Sequence, residues 1–176
     1  MLANPCRYNV VRTRAGALLS LGLLCVSTSI GAAPPARKFD PAAFFAGRTV
    51  GDARLKVMMS RAKAIHVDST GRVEADGALA VSQVVAEEGK PVKNRSWRIR
   101  MVAPGRYEGT LSDASGPVKG VMTDNVLNLR FAMKGGLQAE QKLTLRPDGL
   151  SVHNAMTIRK FGMTVATLEE TIRKLD

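Results

Sequence analysis

Cysteine is nearly absent from this 176-residue chain, which has only Cys6 and Cys25. Two thiols cannot build a disulfide scaffold or a four-thiolate zinc site. Histidine is as scarce, with His66 and His153 alone. Metal sites usually gather three or four convergent ligands, so neither a metal nor another cofactor is expected. Aromatic residues make up 5% of the chain, with one tryptophan. Nucleic-acid grooves rely on stacking platforms, and these are too few. Acidic residues are outnumbered, 15 against 26 basic, for a net charge of +11. No run approaches the roughly 18 apolar residues of a membrane-crossing helix. A nucleophile elbow, a phosphate-binding glycine loop and a zincin helix motif are also missing. Hydrophobic residues nevertheless reach 45%, too many and too well patterned for a disordered chain.

Residues 1–33 have the layout of a secretory signal peptide. Arg7, Arg12 and Arg14 give a positive start, and no acid precedes Asp40. Ala15–Val26 is an apolar core of 12 residues, too short to span about 30 Å of hydrocarbon. Small residues Gly31-Ala32-Ala33 then mark a cleavage site before Pro34. The expectation is export to the periplasm. Both cysteines fall inside this segment, so the processed protein would have none. Lipid attachment at Cys25 is disfavoured, because Leu24 is too bulky for a lipoprotein cleavage site. Residues 34–38 read as a linker, and residues 39–176 as one domain of ordinary size.

Phe39–Gly47 (FDPAAFFAG) carries the marks of one brief helix. Asp40 can cap its first amides, and Pro41 suits the first helical position. Phe39 and Phe44 sit where a hydrophobic staple would join, and Gly47 can end the helix. From Arg48 onward the apolar period changes from 3.6 to 2. Turn signals recur about every 10 residues, at Gly71, Asp76-Gly77, Glu88-Gly89, Pro104-Gly105, Ser115-Gly116, Asp124-Asn125, Gly135-Gly136 and Pro147-Asp148-Gly149. One face of each strand is apolar, as in Leu127, Leu129, Phe131 and Met133, while Asn128 and Arg130 point away. Such a ribbon of about 8–10 antiparallel strands would leave two raw edges unless it closes. The fold expected is all-β, an up-and-down barrel with the short helix closing one end. A two-sheet β-sandwich is the alternative.

The same residues resemble a known family. Phe39–Arg48, Trp97-Arg98-Ile99, Arg106-Tyr107-Glu108-Gly109, Asp113–Gly120 and Lys160-Phe161-Gly162 follow the order of a proteobacterial envelope family catalogued as domain of unknown function 3833. The resemblance runs from about Phe39 to the C-terminus. It implies a lipocalin-like barrel whose members are often exported or lipid-anchored and for which no catalytic residues are established. The chain departs from the family's pattern at two places. Ser82-Gln83 stands where an acidic strand centre is typical, and Leu143-Thr144-Leu145-Arg146 where an acidic stretch with tryptophan is typical. The absent lipidation signal is a further departure.

A non-enzymatic binding or structural module is therefore expected, with a lipid or other apolar small molecule as the possible guest. The candidate lining is Trp97, Met101, Leu129, Phe131, Gln141, Asn154 and Met156. Gln141 and Asn154 interrupt apolar faces, as the few orienting groups of a ligand pocket do. Seven methionines, at 58, 59, 101, 122, 133, 156 and 163, offer adaptable thioethers for a lumen or fill gaps in a core. An alternative partner is an anionic envelope lipid or glycan. The acid-free run Lys90–Arg106 supplies Lys93, Arg95, Arg98 and Arg100 as candidate anion ligands. Against this, cations on a strand are normally paired across the sheet, here with Glu87 or Glu140. A barrel enzyme using Glu108, Asp113 or His66, the last beside Asp68, has only the presence of those residues in its favour.

Overall fold

The computed structural model describes residues 38–175. The expected signal peptide, nearly all of the linker and Cys25 lie outside those residues. Helix α1 (Pro41–Phe45) forms as its sequence dictates. Asp40 Oδ1 accepts the amides of Ala42 and Ala43 at 2.9 and 3.3 Å, satisfying two donors that a helix start leaves open. The Phe39 and Phe44 rings meet edge to face, 6.0 Å between centroids, and close the staple. Gly47, at φ 91°, then turns the chain into the first strand.

Ten antiparallel strands follow. They are β1 (Gly47–Val57), β2 (Lys63–Val73), β3 (Leu79–Glu87), β4 (Lys93–Ala103) and β5 (Arg106–Leu111), then β6 (Val118–Thr123), β7 (Val126–Met133), β8 (Leu137–Leu145), β9 (Ser151–Lys160) and β10 (Met163–Lys174). Each pairs with its sequence neighbours, and β10 returns to pair with β1, from Thr49 opposite Lys174 to Val57 opposite Ala166. Closure leaves no sheet edge open to another chain. It also excludes the sandwich.

Most expected turns fall between strands, but Gly71 does not. It lies within β2, buried, opposite Gly47 and Val81. A Cβ there would stand 1.9 Å from the Phe45 carbonyl oxygen. The glycine is needed so that α1 can rest on the strand, not to bend it. The β1–β2 and β9–β10 turns, by contrast, put Met59 and Phe161 in the left-handed region.

The period-2 alternation points Val81, Ile99, Leu127, Leu129, Phe131, Leu143, Val152 and Ile172 into one core with Phe39 and Phe44. Charged residues such as Arg98, Arg130 and Lys142 face outward, the reverse of a barrel that spans a membrane. Helix α1 covers the end where β1 begins. Lys174 Nζ donates to the carbonyls of Ala43, Phe44 and Ala46, holding that cover down from β10. The methionines divide against expectation. Met122, Met133 and Met156 pack on the core, whereas Met58, Met59, Met101 and Met163 are exposed at strand ends and turns, where no wall surrounds them.

Candidate functional site

A belt of polar side chains crosses the middle of the apolar lumen. Its members occupy inward positions of five strands: Ser69 on β2, Gln83 on β3, Arg95 and Trp97 on β4, Asn154 on β9 and Glu170 on β10. Gln141 on β8 completes the ring. Gln83 is the hub. Its Oε1 accepts from Arg95 Nε and Trp97 Nε1, both at 2.8 Å, and its Nε2 donates to Ser69 Oγ at 3.0 Å. Across the lumen, Asn154 Nδ2 donates to Glu170 Oε2 at 2.7 Å. Gly51 makes space for that carboxylate, since a Cβ there would lie 2.1 Å from Glu170 Oε1.

The charges in the belt are costly. Burial lowers the pKa of Arg95, with the charges of Asp113 and Glu170 opposing the shift. Burial raises that of Glu170, against the Asn154 hydrogen bond and the Arg95 charge, while Asp52 adds to the rise. Arg95 and Glu170 thus sense each other without forming an ion pair among the described residues. Two buried acceptors of the belt also go without a hydrogen-bond partner among the described residues: Gln141 Oε1 and Asn154 Oδ1. Asn154 is only 3% exposed, so bulk water does not serve it.

Small cavities lie on either side of the belt. One, of about 70 Å³, faces α1 and is walled by Pro41, Phe45, Leu79, Leu129 and Ile172. The other, of about 40 Å³, lies toward the far end among Leu111, Phe131, Met133, Met156 and Leu168. Arg95, Trp97, Gln141, Asn154 and Glu170 border both. Either volume holds a few waters at most. Both fall short of the roughly 300 Å³ at which small-molecule pockets begin.

Residues 25–174 match the family described as "Protein of unknown function (DUF3833)". The chain belongs to this family. No curated protein matches it. Among solved structures, the DUF3833 barrel is similar to the S-type phycobiliprotein lyase CPES from Guillardia theta, at 10% identity and TM-score 0.61, covering 76% of this chain and 90% of that one. It is also similar to Rv2717c from M. tuberculosis, at 17% identity and TM-score 0.57, covering 78% and 99%. A DUF3598-family protein of unknown function from Nostoc punctiforme follows at 10% identity and TM-score 0.54, covering 83% and 53%. These likenesses are of fold, and they place the DUF3833 barrel among lipocalin-like barrels.

Six of the seven lining residues expected from sequence do face the lumen of this DUF3833 protein. Trp97, Gln141 and Asn154 belong to the belt, and Leu129, Phe131 and Met156 wall the cavities. The Trp97 and Phe131 rings meet edge to face at 5.7 Å. Met101 must be removed from the set. It is 60% exposed, on the part of β4 that runs past the core to a register shift before Ala103.

The basic run does not form one stripe in the DUF3833 barrel. Lys93 and Arg95 share the inward parity of Trp97, whereas Arg98 and Arg100 face out. Lys93 pairs with Asp113 at 2.8 Å, and Arg95 enters the lumen. Arg98 is held by Glu74 at 2.8 Å and by Asp76. Arg100 lies opposite Glu108 on β5. Neighbouring acids therefore absorb this charge: Glu74, Asp76 and Asp113, with Glu87 paired to Lys90 at 2.8 Å, whereas Glu140 pairs with Arg130 and Arg159. The remaining titratable candidates do not converge either. His66 Nδ1 lies 2.8 Å from Asp52 and its Nε2 3.7 Å from Asp68, all half-exposed on the solvent face. Glu108 is exposed on β5, and Asp113 sits beyond the end of that strand.

The belt's hub and its acid were missed from sequence. Gln83 falls between inward Val81 and Val85, and Glu170 between inward Leu168 and Ile172. Each is a polar interruption of an apolar period, the signal that marked Gln141 and Asn154.

Proposed function

We propose that this chain is a non-enzymatic binding module of the cell envelope whose lumen takes a small amphiphile. The polar end of the guest lies at the belt, and its apolar part replaces the cavity beneath α1. The observation that carries this reading is the pair of unpartnered oxygens, Gln141 Oε1 and Asn154 Oδ1, beside a partly buried Arg95 and a buried Glu170. A barrel that served only as packing gains nothing from such groups, because an unsatisfied buried acceptor costs about 1–3 kcal/mol. A hydroxyl or a protonated acid on the guest donates to one of these oxygens, and an acceptor on the same group meets Arg95.

The closed cavities are too small for such a guest, so binding requires α1 to lift. Five residues, resting on β2 and β3 and held by Lys174, make a suitable cover. Export to the periplasm follows from the signal-like residues 1–33. Likeness to a phycobiliprotein lyase supports a lumen able to hold a guest, and brings no activity with it.

The test is native mass spectrometry of protein purified without detergent from its own cells. The expected result is a non-covalent adduct that disappears in Gln141→Leu/Asn154→Leu while the barrel stays folded. A bare mass, with no stabilisation by long-chain alcohols or acids, leaves a structural role and defeats the proposal.

A further inference from the structure

The end of the barrel opposite α1 bears a feature that the lumen does not explain. The β1–β2 turn presents Met58 and Met59, and the β9–β10 turn presents Phe161 followed by Met163. Met59 is 98% exposed and Phe161 87%. Both adopt positive φ, 60° and 51°, a conformation that favours glycine or asparagine and disfavours bulky side chains. Neither folding nor solubility selects a large apolar residue at a strained, fully wet position. Two neighbouring turns make the same unfavourable choice.

The turns stand side by side, because β1 pairs with β10 and the Met58 amide donates to the Val165 carbonyl at 2.9 Å. Along the two hairpins themselves the charge has one sign. Residues 53–67 contain Arg54, Lys56, Arg61 and Lys63 with no acid, and residues 155–168 contain Arg159 and Lys160 with none. Neighbouring strands supply Glu88 to Arg61, Glu87 to Lys63 and Glu140 to Arg159. Lys56 bonds only the Ser60 carbonyl, and Lys160 Nζ lies over the Phe161 ring at 5.6 Å. Those two ammonium groups are left without a carboxylate partner among the described residues.

We infer that this end of the barrel docks on an anionic phospholipid surface. Phe161 and Met59 enter the headgroup layer, and Lys56 and Lys160 meet the phosphates beside them. Projecting apolar tips ringed by cations suit that layer, which accepts isolated side chains and concentrates positive charge. A protein partner would call for a continuous apolar face, and here the apolar side chains stand on separate turns. The proposal is independent of any guest in the lumen.

The experiment uses the full chain and vesicles of phosphatidylglycerol with phosphatidylcholine, or of phosphatidylcholine alone. Phe161→Trp places a reporter at the docking end. Leu150→Trp places one in the β8–β9 turn at the α1 end. Lipids brominated near the headgroup are expected to quench the first and not the second, with anionic vesicles only. Binding measured by sedimentation should fall about tenfold for each of Met59→Ser and Phe161→Ser, and about fivefold for Lys160→Gln. Residues 1–37 are common to every variant, so attachment through them would leave the two reporters alike. Equal quenching, equal affinity for neutral vesicles, or retention of the tips by a protein in place of lipid would each overturn the inference.

Discussion

Replacing Gln83 separates packing from polar satisfaction. Gln83→Leu keeps the side chain's volume but removes the acceptor shared by Arg95 Nε and Trp97 Nε1. Two orphaned donors cost about 1–3 kcal/mol each, and the buried leucine returns part of that, for a net loss near 3 kcal/mol. Gln83→Ala removes the same acceptor and leaves room beside the 70 Å³ cavity, so water can enter and accept in its place. Its cost is about 1–2 kcal/mol. The order is opposite to that of an apolar core, where leucine is always better than alanine. Urea unfolding followed through Trp97, the sole tryptophan, measures both variants. Midpoints should fall as wild type, then Gln83→Ala, then Gln83→Leu, with unchanged slopes. A Gln83→Leu protein as stable as Gln83→Ala, or more so, refutes the reasoning that the belt must be satisfied.

Glu170 gives a pH signature. Its raised pKa means that the folded protein holds the proton more tightly than the unfolded chain. The stability this supplies is complete below the ordinary carboxylate range and is lost as pH rises through the folded pKa. Glu170→Gln should therefore gain in Tm over wild type as pH climbs from about 4 to about 8, and a constant gap would contradict the assignment. Gly71→Ala drives a Cβ to 1.9 Å from the Phe45 carbonyl oxygen, which only backbone movement can relieve. We expect a loss of about 2–3 kcal/mol in chemical denaturation, and a loss below about 1 kcal/mol would show that α1 does not rest on β2. Lys174→Met removes the three carbonyl bonds that hold α1. Exchange of the Ala46 amide should quicken about tenfold with little change in barrel Tm, and unchanged exchange would show that apolar packing alone fixes the cover.

The barrel was legible because its signals are local. A period of two and turn residues about every 10 positions specify hairpins, and the expense of open edges implies closure. The capped, stapled helix was equally plain from Asp40, Pro41 and the phenylalanines. Gly71 misled because a glycine that admits a neighbouring backbone and a glycine that makes a turn look alike in one sequence. The basic run misled for a related reason. A cluster of like charges along the chain takes no account of parity, and parity sent Arg95 inward while Arg98 went to Glu74 and Asp76. Met101 shows the limit of the period itself, which continues past the point where the wall around it stops. Proximity across the lumen, as between Arg95 on β4 and Glu170 on β10, depends on strands brought together only by closure.

The belt's role is tested most directly by a crystal structure of the purified protein at a resolution that shows ordered water. The account predicts non-protein density between Arg95, Gln141 and Asn154, within hydrogen-bond reach of Gln141 Oε1 and Asn154 Oδ1. Side chains closing that gap with direct bonds to one another, and nothing between them, would contradict it.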